Sequence, residues 1–288
     1  MSQSQSIAFV TGTSTGFGHL IARDLAAAGY RTFATMRDTA TRNAEPKRTL
    51  EALGITVLEL DVTSDASVDA AARIVNAAGP VDVLVNNAGA AFMGLSEAFT
   101  AEAAAKQFDV NVLSTLRVNR ALLPAMRAAK RGLVVYISSV VGRVVIPFTG
   151  VYTASKWALE ALAETASYEL RPFGIDVAIV EPGSYGTNIF SAIVAPTDTA
   201  RVQSYGDVAK IQDAIFGGLG ESAGNPQEVA DAVLALAKRA PGDRALRTVV
   251  GGSEQIDAIN AASAPLQREL LANFGLEALL PREAAKVS

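Results

Sequence analysis

The chain has 288 residues, half of them hydrophobic, and a net charge of −4 at neutral pH, which suits one large α/β domain and leaves no basic surface for nucleic acid or an anionic membrane. It contains no cysteine and a single histidine, excluding disulfides, thiolate catalysis and cysteine-based metal sites, so no metal centre is expected. Residues Met1 to Ser6 are polar, without the basic and apolar regions of a secretion signal, and no apolar run approaches the roughly 20 residues that cross a bilayer; a cytoplasmic protein is expected.

In chain order, Ile7 to Val10 reads as a first buried strand, followed by a glycine-rich turn and a helix to about Ala28. Strands are then predicted at Thr32–Thr35, Val57–Leu60, Val81–Val85, Leu133–Ile137, Ile175–Val180 and Thr248–Val250, and helices fill the gaps, notably Glu102–Ala129, Tyr152–Leu170 and Gln227–Arg239. This alternation predicts a Rossmann-like, doubly wound parallel sheet of about seven strands with helices on both faces, in a single domain spanning 1–288. The short apolar runs fit strands buried on both sides. Residues 184–225 are too long for a simple connection and are expected to form a substrate lid, and a C-terminal tail begins at about residue 253.

The turn after the first strand is Gly12, Thr13, Ser14, Thr15, Gly16, Phe17 and Gly18. Its glycines permit close approach of the backbone to a pyrophosphate, and the helix that follows offers N–H donors and a partial positive charge. Gly12 to Gly16 also matches the G-x-S-x-G elbow of serine hydrolases around Ser14. That chemistry needs a histidine downstream of an acid, and the one histidine, His19, follows Ser14 on the same helix. The hydrolase reading fails on inventory.

Tyr152 and Lys156 stand at i,i+4 on a predicted helix and share a face. A lysine ammonium near a phenol lowers its pKa, so Tyr152 can exchange a proton with a carbonyl or alcohol oxygen while hydride moves at carbon. Ser139 ends a strand shortly before and can hold that oxygen, with Ser138 as its alternative. Asn86, Asn87, Ala88 and Gly89 follow the fourth strand, where ligands lie in open α/β sheets. Asn111 falls inside a predicted helix, an unfavoured place unless its amide is used, and Pro182, Gly183 and Thr187 follow the sixth strand.

Taken in this order, Thr11-Gly12-x3-Gly16-x-Gly18, Asp61-Val62, Asn86 to Gly89, Asn111, Ser139, Tyr152-x3-Lys156 and Pro182-Gly183-x3-Thr187 closely resemble the short-chain dehydrogenase/reductase family over about residues 6 to 252. Thr15 to Gly18, with Ala34 to Arg37, looks like its hydroxysteroid and retinol dehydrogenase branch. The resemblance implies that Tyr152 is the general acid or base and that Lys156 binds the nicotinamide ribose and tunes Tyr152. It implies that Ser139 orients the substrate oxygen and that Asn111 holds a water extending the proton relay. By the same resemblance Asn87 and Gly89 line the cofactor site, Asp61 and Val62 flank adenine, and Thr187 reaches the carboxamide. A homodimer or homotetramer through Tyr152–Leu170 and Glu102–Ala129 is implied as well.

NAD enzymes of this fold carry an acid at the end of the second strand. Here that position is Met36, followed by Arg37, with Arg42 nearby; a guanidinium can grip a 2′-phosphate in a bidentate way. NADP is the expected cofactor, with NAD the alternative should the carboxylate of Asp38 face the ribose. Ala91, Phe92, Met93, Val144, Val145, Ile146, Phe148, Phe190, Ile193 and Val194 are expected as walls of an apolar pocket, so the substrate is expected to be an uncharged, lipophilic carbonyl or secondary alcohol. The rival reading is a catalytically silent nucleotide-binding sensor on the same fold.

Overall fold

The computed structural model describes residues 5–185, 192–217, 224–252 and 254–280. In them β1 (Ile7–Val10), β2 (Arg31–Met36), β3 (Thr56–Glu59), β4 (Val83–Asn86), β5 (Gly132–Ile137), β6 (Ile175–Pro182) and β7 (Arg247–Val250) form one sheet. Its order is β3-β2-β1-β4-β5-β6-β7, every pairing parallel, which is the doubly wound sheet the sequence predicts. The strand order reverses between β1 and β4, and the crevice beyond the carboxyl ends of these strands is where such sheets hold ligands.

Alternation along each strand divides the core into two layers. Ala8, Val10, Val83, Val85, Leu133 and Val135 face α1 (Gly16–Ala27), α2 (Ala44–Glu51) and α9 (Gln227–Lys238). Ile7, Phe9, Leu84, Val134, Tyr136 and Ile179 face α3 (Asp65–Ala78), α5 (Ser114–Ala129) and α6 (Gly150–Leu170). With both faces covered, the strands are apolar at nearly every position, which is why they read as continuous hydrophobic runs.

Three regions differ from the sequence reading. The single helix expected over Glu102–Ala129 is two: α4 (Ala101–Phe108) and α5, joined by a wide π-helical turn at Asp109–Leu113 with Asn111 inside it. The extra residue in such a turn displaces its side chains from the α-helical register and is common beside functional sites. Within 184–225, where the sequence shows no clear period, α7 (Thr199–Ser204) and α8 (Asp207–Gly217) form. Glu97 anchors α7, accepting from Arg201 Nη1 at 2.8 Å and from the Tyr205 hydroxyl at 2.6 Å. The buried Gln212 ties α8 to the backbone N–H of Leu95 at 2.8 Å. Past β7 the chain forms α10 (Glu254–Asn273). Its Pro265 and sparse buried apolar side, represented by Ile256, give the sequence little helical period to read. Among the described residues, no helix is long and apolar enough to cross a membrane, and no group of His, Asp or Glu could hold a metal ion.

Candidate active site

The glycine turn is built by contacts that leave no room for a side chain. Gly12 takes a left-handed φ of 70° and Gly16 one of 58°, conformations that glycine adopts without a Cβ penalty. A Cβ on Gly12 would stand 2.8 Å from Ala88 Cα, and one on Gly18 would stand 2.3 Å from both Gly12 O and Asn87 Nδ2. The Asn87 amide donates to Thr11 O at 2.8 Å and Gly12 O at 2.9 Å. The Thr11 hydroxyl accepts from the N–H groups of Asn87 and Ala88 at 2.9 and 3.0 Å. The end of β4 therefore holds the turn after β1. Thr15 at the start of α1 makes no side-chain cap, and the first helical turn has no acid, so its N–H donors and partial positive charge are not already matched by a carboxylate.

This cradle opens into a cavity of about 630 Å3 that runs over the carboxyl ends of the strands. Gly12, Ser14, Thr15, Gly16 and Phe17 line it, together with Arg37, Asp61, Val62, Asn87, Ala88 and Gly89; so do Ser139, Tyr152, Lys156, Pro182 and Gly183. Thus most of the sequence-predicted set, from distant parts of the chain, faces one space. Thr13 does not: its N–H and hydroxyl both donate to Thr35 O, at 2.9 and 3.1 Å, so it stitches the turn to β2. Gly18 lies beneath the turn. Thr187 and Phe190 fall outside the described residues.

At the β5 end, Ser139 opens a short 3-10 turn and accepts from Val141 N–H at 3.3 Å, with its hydroxyl 3.4 Å from Pro182 O. Ser138 lines the cavity too but is turned inward and buried. Tyr152 and Lys156 lie on α6, both buried. Lys156 Nζ donates to Ile137 O at 2.9 Å and stands 5.7 Å from the centre of the Tyr152 ring. Burial pushes the Tyr152 phenol up to about 12, against a hydrogen bond with Ser139 that pulls it down. Burial lowers the Lys156 ammonium to about 8, against the attraction of Glu160. The lowering of Tyr152 by Lys156 expected from the i,i+4 spacing does not arise in the protein alone, where desolvation of the phenolate sets the direction.

Asn111 does not line the cavity. Its amide accepts from Ala90 N–H at 2.9 Å and donates to Ala90 O and Ser155 Oγ, both at 3.0 Å. It ties the loop after β4 to α6 beside Tyr152. Gln107, which sequence reasoning passes over, does the same work nearby: it accepts from Phe92 N–H at 2.7 Å and donates to Ala90 O at 2.8 Å. A buried glutamine on an amphipathic helix has no local signal; its partner is a loop distant in sequence.

At the far end, Met36 closes β2 and lines the cavity, with Arg37, Arg42 and Asn43 beside it. Asp38 is outside that lining and pairs with Arg42 at 2.8 Å. Asp61 accepts from the N–H and hydroxyl of Thr63 at 2.9 and 2.7 Å. Burial raises its pKa, but these bonds and the charges of Arg37 and Arg117 outweigh that and hold it below the usual value. On the opposite side, Ala91, Met93, Ile146 and Val194 line the cavity as expected, joined by Val141, Ile215 and Phe216. Phe92 instead bridges to Val194 as backbone, Val145 is 74% exposed, and Phe148 packs edge-on to Phe216. The contribution of α8 is invisible in sequence because it depends on where Ile215 and Phe216 come to lie against residues distant in the chain.

Residues 6–198 match the family described as short chain dehydrogenase. The chain is 36% identical over 251 residues to 17-beta-hydroxysteroid dehydrogenase type 1 of Homo sapiens, covering 82% of this chain and 75% of that one. Its fold superposes on a short-chain dehydrogenase from Streptomyces avermitilis with a TM-score of 0.78 at 32% identity, covering 95% of this chain and 97% of the other. It also superposes on a metagenomic short-chain oxidoreductase in complex with NADP, with a TM-score of 0.66 at 30% identity, covering 87% of this chain and 98% of the other. A family match over most of the chain, with relatives this similar along nearly its whole length, makes this protein an oxidoreductase of the short-chain dehydrogenase/reductase family.

Proposed function

We propose that this enzyme transfers hydride between NADP(H) and an uncharged, lipophilic carbonyl or secondary alcohol, with Tyr152 as its acid–base group. The observation that carries the reading is the junction at Tyr152. Its buried phenol, hydrogen-bonded to Ser139, stands where the glycine cradle's cavity meets an apolar wall of Met93, Val141, Ile146, Ile215 and Phe216. The cradle fits a pyrophosphate: Gly12 and Gly16 take left-handed φ values that fold the turn tightly, Gly18 lets α1 pack against Gly12 and Asn87, and the start of α1 carries no side-chain cap and no acid. Bound there, a nicotinamide dinucleotide supplies or accepts the hydride.

The chain's own groups do the rest. In reduction, the Ser139 and Tyr152 hydroxyls donate to the carbonyl oxygen, and the Tyr152 proton passes to it as the carbon is reduced. A phenol held above its ordinary pKa stays protonated at neutral pH, the state a proton donor requires. Lys156 binds the ribose and places positive charge beside the phenolate left behind. Asn111 fixes the Ala90 loop against α6. The role of Thr187 rests on the family resemblance alone. Asp61 and Val62 flank the adenine, and Arg37, assisted by Arg42, grips a 2′-phosphate where Met36 provides no repelling acid. The reading takes the chain as one catalytic domain with 184–225 as its lid, working as a homo-oligomer.

Turnover of an aldehyde, ketone and secondary-alcohol panel with NADPH and NADH, in wild type and Arg37→Ala, tests this. The expected result is reduction of apolar carbonyls with a preference for NADPH that Arg37→Ala removes. A wild-type preference for NADH, or for a dicarboxylate or sugar phosphate, overturns the corresponding part. Cofactor binding without turnover would favour the sensor reading.

A further inference from the structure

Behind the site, away from the cavity, charged groups from three elements meet. Arg247 of β7 pairs with Glu160 of α6 at 3.1 Å, with Glu164 of α6 at 2.6 Å and with Glu181 of β6 at 3.3 Å. Glu181 is wholly buried and Glu160 nearly so. A fourth element closes the cluster. Asn260 of α10 donates its amide to Glu181 Oε2 at 2.6 Å and accepts from Arg143 Nε at 2.7 Å. Arg143 also donates to Ser263 of α10 at 2.9 Å.

These two bonds join unequal partners. Glu181 lies within β6, paired with Val249 of β7, and the sheet holds it whether or not Asn260 is present. The next residues, Pro182 and Gly183, are likewise tied to β7, since Gly183 N–H donates to Val250 O at 2.9 Å. Arg143 follows the single turn Val140–Gly142 that Ser139 opens, whose backbone bonds close within the turn itself: Gly142 N–H donates to Ser139 O at 2.8 Å, and Arg143 and Val144 N–H donate to Val140 O at 3.0 and 3.3 Å. Asn260 thus takes its orientation from a rigid strand and passes it to the turn carrying Ser139.

We propose that Asn260 is a positioning residue for the reaction: from the C-terminal helix it fixes the Arg143 guanidinium, and through it the Ser139 turn, against Tyr152. This rests on the reading of Ser139 and Tyr152 as the groups that hold the reacting oxygen. Oxygen-to-donor alignment is sensitive to small displacements, so the role should appear in turnover more than in cofactor affinity.

The experiment compares Asn260→Leu, Arg143→Met, the double variant and Asn260→Asp with wild type and Tyr152→Phe. Kinetics use the carbonyl the wild type reduces best, and cofactor affinity is read from NADPH fluorescence. Asn260→Leu is expected to lose about 10- to 100-fold in kcat, the scale of a misplaced catalytic group, with the cofactor Kd little changed. The double variant should be no worse than the single ones, because both remove one link.

Asn260→Asp keeps the pair with Arg143 but sets a carboxylate against Glu181. The groups facing that pair are Glu160, Glu164, Arg143 and Arg247. Burial already pushes Glu181 up to about 7, so a proton shared by the two carboxylates restores the contact as pH falls. Its kcat should therefore approach wild type at acid pH and decline towards pH 8, a limb absent from wild type. Because Asn260→Asp keeps the shape and one bond, the result does not depend on Asn260→Leu folding.

Turnover within twofold of wild type in Asn260→Leu, additive losses in the double variant, or a wild-type pH profile in Asn260→Asp would each overturn the proposal. Turnover lost in Tyr152→Phe but kept in Asn260→Leu refutes this inference alone. Turnover kept in Tyr152→Phe refutes the site reading and the inference with it.

Discussion

Replacing Gly18 with alanine tests whether the cradle is held as described, whatever the substrate. The new methyl would stand 2.3 Å from Gly12 O and 2.3 Å from Asn87 Nδ2, roughly an ångström inside contact distance. Gly12 cannot retreat, because it is already packed against Ala88 at a φ of 70°. The Asn87 amide can move only by giving up its bonds to Thr11 O and Gly12 O. Two such bonds are worth about 1 kcal/mol each, and the overpacking adds about 1–3 kcal/mol, so the variant should be about 3–5 kcal/mol less stable. Gly54 is the control: alanine there meets nothing within 4 Å and suffers only its φ of +77°, a cost of about 1–2 kcal/mol. Thermal and denaturant unfolding of the two variants measures the difference, about 1–4 kcal/mol, which should be roughly 2–7 °C in Tm for a chain of this size. NADPH binding should be lost in Gly18→Ala and kept in Gly54→Ala. Equal stability of the two variants, or unaltered NADPH affinity in Gly18→Ala, would refute the reasoning.

Tyr152→Phe keeps the ring in its buried place and removes the proton donor, so turnover should fall by at least roughly 100-fold with cofactor affinity intact; wild-type turnover in the folded variant would sink the mechanism. Burial, reinforced by Glu160, pushes Glu181 up to about 7 from an ordinary value of 4.5. A carboxyl raised on folding contributes stability that is complete below about pH 4.5 and lost as pH rises through about 7. Unfolding free energies from pH 4.5 to 8 should therefore fall in wild type and fall less in Glu181→Gln, and parallel curves would contradict the assignment. Trp157 on α6 is 44% exposed, and Leu113 and Leu116 around the start of α5 are each 43% exposed. A homo-oligomer that covers α5 and α6 should show a multiple of the protomer mass in light scattering at micromolar concentration, reduced in Trp157→Glu; a monomeric wild type would exclude it.

What was legible in the sequence was whatever depends on near neighbours or on strand-end position. Buried parallel strands are apolar on both faces, so Ile7 to Val10 and Ile175 to Val180 announced themselves, and alternation with helices set the topology. Tyr152 and Lys156 could be paired because a helix brings i and i+4 together. The glycine turn could be placed because Gly12, Gly16 and Gly18 recur at a strand-to-helix junction. The end of β2 at Met36, with Arg37 next, followed from counting along a strand.

Only the tertiary structure decided the rest, because the contacts concerned join residues remote in the chain. That Thr13 turns to Thr35 and not to the cavity is set by the packing of β1 on β2. The π-helical turn that aims Asn111 at Ala90 and Ser155, and the buried Gln107 beside it, depend on how α4 and α5 meet the loop after β4. Desolvation of Tyr152 and Lys156 reverses a pKa expectation that spacing alone supports, since burial is a property of everything packed around a group. The meeting of Glu160, Glu181, Arg247 and Asn260 is of the same kind: α6, β6, β7 and α10 carry no local sign of one another, and a buried charge is tolerated only where the fold brings its partners to it.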